Sequence, residues 1–140
     1  MTAAGLVRGG LQLASIATAA LAVWLAWVVL FVLPNRDPGH VQLWAIVALA
    51  SGVFVGASLL ATRTDGAAVL ALLGLLSITA IAFGLFVAGS FLTSALSADP
   101  EGYLIVVGVI LTVHGTLGLM WTGVVALRLR STLATTRHRE

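Results

Sequence analysis

Seven arginines and five carboxylates are the only formal charges in 140 residues, and their placement cuts the chain into four long uncharged runs. The runs are residues 9–35, 41–62, 66–98 and 102–127. A helix needs about 20 apolar residues to cross a bilayer, so each run is long enough. Hydrocarbon offers a backbone no hydrogen bonds, and a segment inside it must satisfy its own as a helix. The expected spans are 11–33, 41–61, 67–88 and 103–127.

Composition agrees. Hydrophobic residues make up 60% of the chain and charged ones 9%, with a mean hydropathy of +1.12. Soluble domains carry about 25% charged residues. The expected fold class is an all-α membrane protein, a four-helix antiparallel transmembrane bundle forming one domain over residues 1–140, with the lipid bilayer as its solvent.

Two segments need a closer reading. Arg8 followed by an apolar run, with Ala20-Leu21-Ala22 as a possible cleavage site, resembles a signal peptide. Signal h-regions run about 7–15 residues, whereas this run continues to Leu33, so the segment reads as a retained span. The third run would reach about 50 Å as a helix, against a hydrocarbon core of about 30 Å. Its tail explains the excess. Ser90, Thr93, Ser94 and Ser97 recur at helical spacing opposite Phe91, Leu92, Ala95 and Leu96, which predicts an interfacial extension to about residue 97.

The links "PNRDPGH", "TRTDGA" and "SADPEG" are short, which makes consecutive helices antiparallel neighbours. Asp37-Pro38 and Asp99-Pro100 each precede an even-numbered span. Asp suits an N-cap and Pro the first helical position, so both pairs read as helix starts and hint at a duplicated hairpin.

Arg8, Arg63, Arg128, Arg130, Arg137 and Arg139 fall on one side of this arrangement and only Arg36 on the other. The positive-inside rule then puts both termini in the cytoplasm of a plasma-membrane protein. Arg128, Arg130, Arg137 and Arg139 form a basic tail, 128–140, suited to lipid headgroups. Trp44, Tyr103, Trp27 and Trp121 fall near span ends, as an aromatic belt requires. Trp24 lies deeper and is expected between helices.

Lipid gives no hydrophobic drive for helix association, so small residues that permit close approach mark packing faces. Ala14, Thr18, Ala22 and Ala26 stand at i+4 spacing on the first helix, and Ala48, Gly52 and Gly56 on the second. The third carries Ala80, Gly84 and Ala88, and the fourth Gly108, Thr112, Gly115 and Gly118. Gly52 and Gly56 are expected inside the bundle or at a partner's helix.

His114 is the one ionisable side chain expected deep in a span, roughly 16 Å past the start of the fourth helix at 1.5 Å per residue. Hydrocarbon favours the uncharged ring, which is one donor and one acceptor. Thr18, Ser51, Ser77 and Thr79 are candidate partners. Three readings stand: a polar clasp between helices, a proton or substrate site, or a haem or metal ligand. The last lacks a second ligand, because His40 sits at a rim and His138 in the tail. Outside the spans, Asp37, His40, Asp99 and Glu101 share one face and could hold a cation, although both Asp residues and Glu101 also suit helix starts.

Other classes are excluded by what the sequence lacks. Cysteine is absent, so there are no disulfides or thiolate sites. A net charge of +2 is too small and scattered for nucleic-acid binding. No phosphate loop, Ser-His-Asp set or paired intramembrane carboxylates occur, so neither enzyme activity nor a cofactor is expected. Small multidrug transporters, four-helix chains of near this length, use an acidic residue in the first span, and this one has none. The expected role is a non-catalytic accessory or scaffold subunit that packs against larger membrane proteins or itself. The alternative is a small homodimeric transporter or channel using His114.

Overall fold

The structure, a computed structural model, describes residues 2–95 and 102–137, without the side chains of 94 and 95. The described residues form helices and the links between them, with no strand among them. Helix α1 (Ala3–Trp27) opens on Thr2, whose hydroxyl accepts from the Gly5 N–H at 3.2 Å. This satisfies one of the orphan donors of the first turn.

Beyond Trp27 the helix changes pitch. A proline inside an α-helix has no N–H to give, and its ring collides with the carbonyl four residues back. Ahead of Pro34 the chain widens into a π-helical turn, Val28–Val32, in which the Leu33 N–H reaches the Val28 carbonyl five residues back. A last α-turn, Leu33–Arg36, completes the span.

A 3-10 turn, Pro38–His40, leads into α2 (Val41–Ala61). Asp37 does not cap α2. Its carboxylate instead takes a 2.6 Å hydrogen bond with His40 Nδ1, and α2 begins without a side-chain cap. Asp99-Pro100 lies outside the described residues, so the echo between the two pairs has no counterpart within them. Helix α3 (Ala67–Ala95) and helix α4 (Tyr103–Arg137) follow.

Four helical stretches, beginning at Ala3, Pro38, Ala67 and Tyr103, are long and apolar enough to cross a membrane. Their ends extend past the hydropathy limits. The first starts before residue 11, and α4 does not stop at 127 but carries the basic segment as helix to Arg137. Nothing in "RLRSTLATTR" breaks a helix. The Thr132, Thr135 and Thr136 hydroxyls bond to carbonyls one turn back. Ser90 and Thr93 do the same near the end of α3, and Ser97 lies outside the described residues.

The buried positions follow one rule. In α1 they are Val7, Leu11, Ala14, Ser15, Thr18, Leu21 and Leu25. In α2 they are Val47, Ser51, Phe54, Ala57, Ser58 and Ala61. In α3 Leu70, Leu73, Ser77, Ala80, Gly84 and Val87 are buried. In α4 Leu111, His114, Gly118, Trp121 and Val125 continue the same alternation of three and four residues. That is the 3.5-residue repeat by which neighbouring helices mesh at shallow angles.

Strict i+4 spacing, in contrast, rotates by about 40° per step on a 3.6-residue helix. The stripe from Ala14 therefore turns off the contact face. Ala14 and Thr18 are buried, Ala22 is half-buried, and Ala26 is exposed. On α2 the same drift leaves Gly52 and Gly56 exposed, and a Cβ added to either would meet nothing within 4 Å. They do not pack inside the chain.

The close approach lies between α3 and α4. A Cβ on Gly84 would stand 2.7 Å from the Gly108 carbonyl, and one on Gly108 would stand 2.7 Å from the Gly84 carbonyl. A Cβ on Gly115 would be 2.6 Å from the Ser77 carbonyl, and one on Gly118 would overlap Ser77 Oγ. At Gly84, Gly108 and Gly115 the contact is with backbone and too short for any other residue without a backbone shift, whereas at Gly118 it is the Ser77 hydroxyl that would have to move.

The outside is inverted relative to a soluble protein. Leu13, Val23, Leu49 and Phe86 are each 70% exposed or more, while Ser15, Thr18, Ser58 and Ser77 are buried. Apolar faces this continuous are not sustained in water.

Candidate functional site

His114 is the only buried ionisable side chain among the described residues, and none of its surface is exposed. The 3–4 repeat of α4 places it on the line of Leu111 and Gly118, which faces inward. Two other helices converge on its ring. From α1, Thr18 Oγ1 lies 2.7 Å from Nδ1. From α2, Ser58 Oγ lies 2.9 Å from Nε2. Ser15 Oγ of α1 is a longer 3.4 Å from Nε2. Phe54, one turn before Ser58, stacks on the imidazole with ring centroids 4.0 Å apart and planes 18° from parallel.

The Thr18 and Ser58 hydroxyls can each donate or accept, so the Ser15 contact is what distinguishes the two neutral tautomers. Ser15 donates its only hydroxyl proton to the Leu11 carbonyl at 2.8 Å, so toward His114 it can only accept. A proton on Nε2 serves both Ser58 and Ser15, and Nδ1 then accepts from Thr18. A proton on Nδ1 would leave the Ser15 contact without a role. The Nε2–H form of the neutral ring therefore accounts for every contact. No carboxylate or arginine among the described residues touches the ring.

Thr18 is among the expected partners, and Ser58 and Ser15 are not. Ser51 bonds to the Val47 carbonyl one turn back. Thr79 is exposed and bonds to Leu75. Ser77 Oγ is buried without a partner, wedged against Gly118.

Trp121, one turn past Gly118, is buried rather than part of a belt. Its Nε1–H donates to the Ala61 carbonyl at 2.9 Å, satisfying an orphan acceptor at the end of α2. Trp24, expected between helices, is 41% exposed, and its ring lies 6.2 Å from that of Tyr103.

The rim cluster does not assemble among the described residues. Asp37 and His40 bind each other, and Asp99 and Glu101 lie outside those residues. No group of three potential metal ligands occurs among the described residues. Arg128, Arg130 and Arg137 are exposed on the last turns of α4, and Arg139 lies outside the described residues, as does His138.

The faces not used for packing meet in a shallow groove of about 570 Å³ between α1 and α2. Ala22, Ala26, Ala45, Ala48 and Gly52 line it, and Leu49 and Val53 form its edge. Comparison of the chain with protein-family models, curated proteins and solved structures found no match.

Proposed function

We propose that this small membrane protein is a non-catalytic accessory subunit: a four-helix antiparallel transmembrane bundle, both termini cytoplasmic, that receives a helix of a larger membrane protein in the α1–α2 groove. The observation that carries the reading is the open small-residue face. A Cβ added to Gly52 or Gly56 would meet nothing within 4 Å, and Gly52 lines the groove together with Ala22 and Ala26 of α1. Such faces let a second backbone come close enough for dispersion and weak hydrogen bonds to hold it. His114, the group a transporter would use, is enclosed on all sides and supports a clasp.

The test is extraction from native membranes in mild detergent, followed by mass measurement of the intact complex. The wild-type chain is expected in a complex with a different, larger membrane protein. Gly52→Leu with Gly56→Leu is expected to release it as a folded single chain. Recovery of self-pairs alone counts against the accessory role. Proton or solute flux by the reconstituted chain that is lost in His114→Leu favours the transporter.

A further inference from the structure

The π-turn ahead of Pro34 lines one side of a second cleft, of about 820 Å³. Its aromatic wall is Trp24, Trp27, Phe31, Trp44 and Tyr103. Tyr103 is the first residue of α4, and its ring lies beside Trp24. The part of the first span from Trp24 to Arg36 therefore projects past the start of α4 by roughly 18 Å at 1.5 Å per residue. Among the described residues, that overhang leaves the space open. Trp44 closes the side toward α2, with its ring edge-on to Tyr103 at 6.2 Å.

Among the described residues, the charge at the mouth is one-sided. Arg36 lines the cleft, is exposed, and forms no ion pair among the described residues. Asp37 also lines it, but its carboxylate is held by His40. Asn35 adds an amide at the same level. Among the described residues, the cleft thus has an unpaired cation and polar donors at the mouth, and an apolar, aromatic channel behind. Guanidinium is a planar fork matched to phosphate oxygens. Aromatic rings with one polar edge suit the boundary between headgroup and acyl chain.

We infer that this cleft is a binding site for an anionic phospholipid, with the phosphate on Arg36 and one acyl chain along the Trp24–Tyr103 wall. The volume lies within the usual range for small-ligand pockets, about 300–1,000 Å³. The site is independent of whether a partner helix fills the α1–α2 groove.

The test uses the full chain in phosphatidylcholine nanodiscs carrying a minor fraction of brominated phosphatidylglycerol or brominated phosphatidylcholine, with tryptophan quenching as the readout. The wild type is expected to prefer the phosphatidylglycerol about fivefold, the factor one arginine near anionic lipid supplies. Arg36→Gln is expected to bring the ratio to about one, and Arg128→Gln, at the other end of α4, to leave it unchanged. Equal quenching by both lipids overturns the assignment, as does a preference that survives Arg36→Gln or is lost in Arg128→Gln. Loss of the preference on adding inorganic phosphate would assign the site to a free anion instead.

Discussion

The His114 imidazole, with no acid beside it among the described residues, is held by hydroxyls and by the face of Phe54, and the cost of removing it depends on what those hydroxyls do next. Intramembrane hydrogen bonds average about 0.6 kcal/mol and reach about 1.7. Serine and threonine in a helix can turn back to the carbonyl four residues earlier. His114→Leu is therefore expected to lower stability by about 1–3 kcal/mol, read as the unfolding midpoint in a denaturing detergent mixture. Thr18→Val is expected to cost about 0.5–1.5 kcal/mol in the same measurement, since it leaves Nδ1 without a donor. The importance of His114 is legible in the sequence, because no other ionisable group shares its depth. Its partners are only half legible. Depth measured from each helix's own end sets His114 level with Ser51, and the structure sets it level with Ser58, seven residues or about 10 Å further along. The overhang of the first span past Tyr103 is the stagger that the charge pattern does not record.

At the scale of helices, packing follows the 3–4 alternation rather than the i+4 stripes of small residues. Gly84 and Gly118 fall on the alternation and Gly115 stands one residue off it, and all three lie in the α3–α4 contact. Gly52 and Gly56 fall only on the stripe and point outward. A composition rich in alanine and glycine produces such stripes by chance, whereas the alternation through Ser51, Phe54, Ser58 and Ala61 picks out the inner face. Gly84→Ala is expected to destabilise the fold by about 1–3 kcal/mol, because the added methyl meets the Gly108 and Thr112 backbone as well as the Thr112 hydroxyl, and the backbone cannot swing away. Gly52→Ala meets open space and is expected to stay within about 0.5 kcal/mol of the wild type. A comparison of their thermal midpoints in one detergent checks both. The π-turn belongs to this scale too. Pro34 is visible as a disturbance, but whether a helix answers a proline with a kink, a break or a wider turn depends on the neighbours that hold it.

For the molecule as a whole, the four uncharged runs mark the number of apolar helices, because solvent exerts the strongest constraint on the chain. Helix ends are less legible. Hydropathy marks where lipid stops, while α4 runs on to Arg137 through residues that suit a helix in either medium. The proposed orientation rests on arginine placement, and a chain without cysteine makes it simple to check. Gly39→Cys is expected to react with an impermeant thiol reagent added outside intact cells, and Thr64→Cys only after the membrane is opened. The central claim is that His114 is sealed inside the molecule as a neutral clasp and is not part of a path for protons or solute. Nitrogen-detected NMR of the histidine rings, in bilayers transferred to D2O, tests this most directly. The Nε2–H of His114 is predicted to persist long after the exposed ring of His40 has exchanged; exchange of both rings together would contradict it.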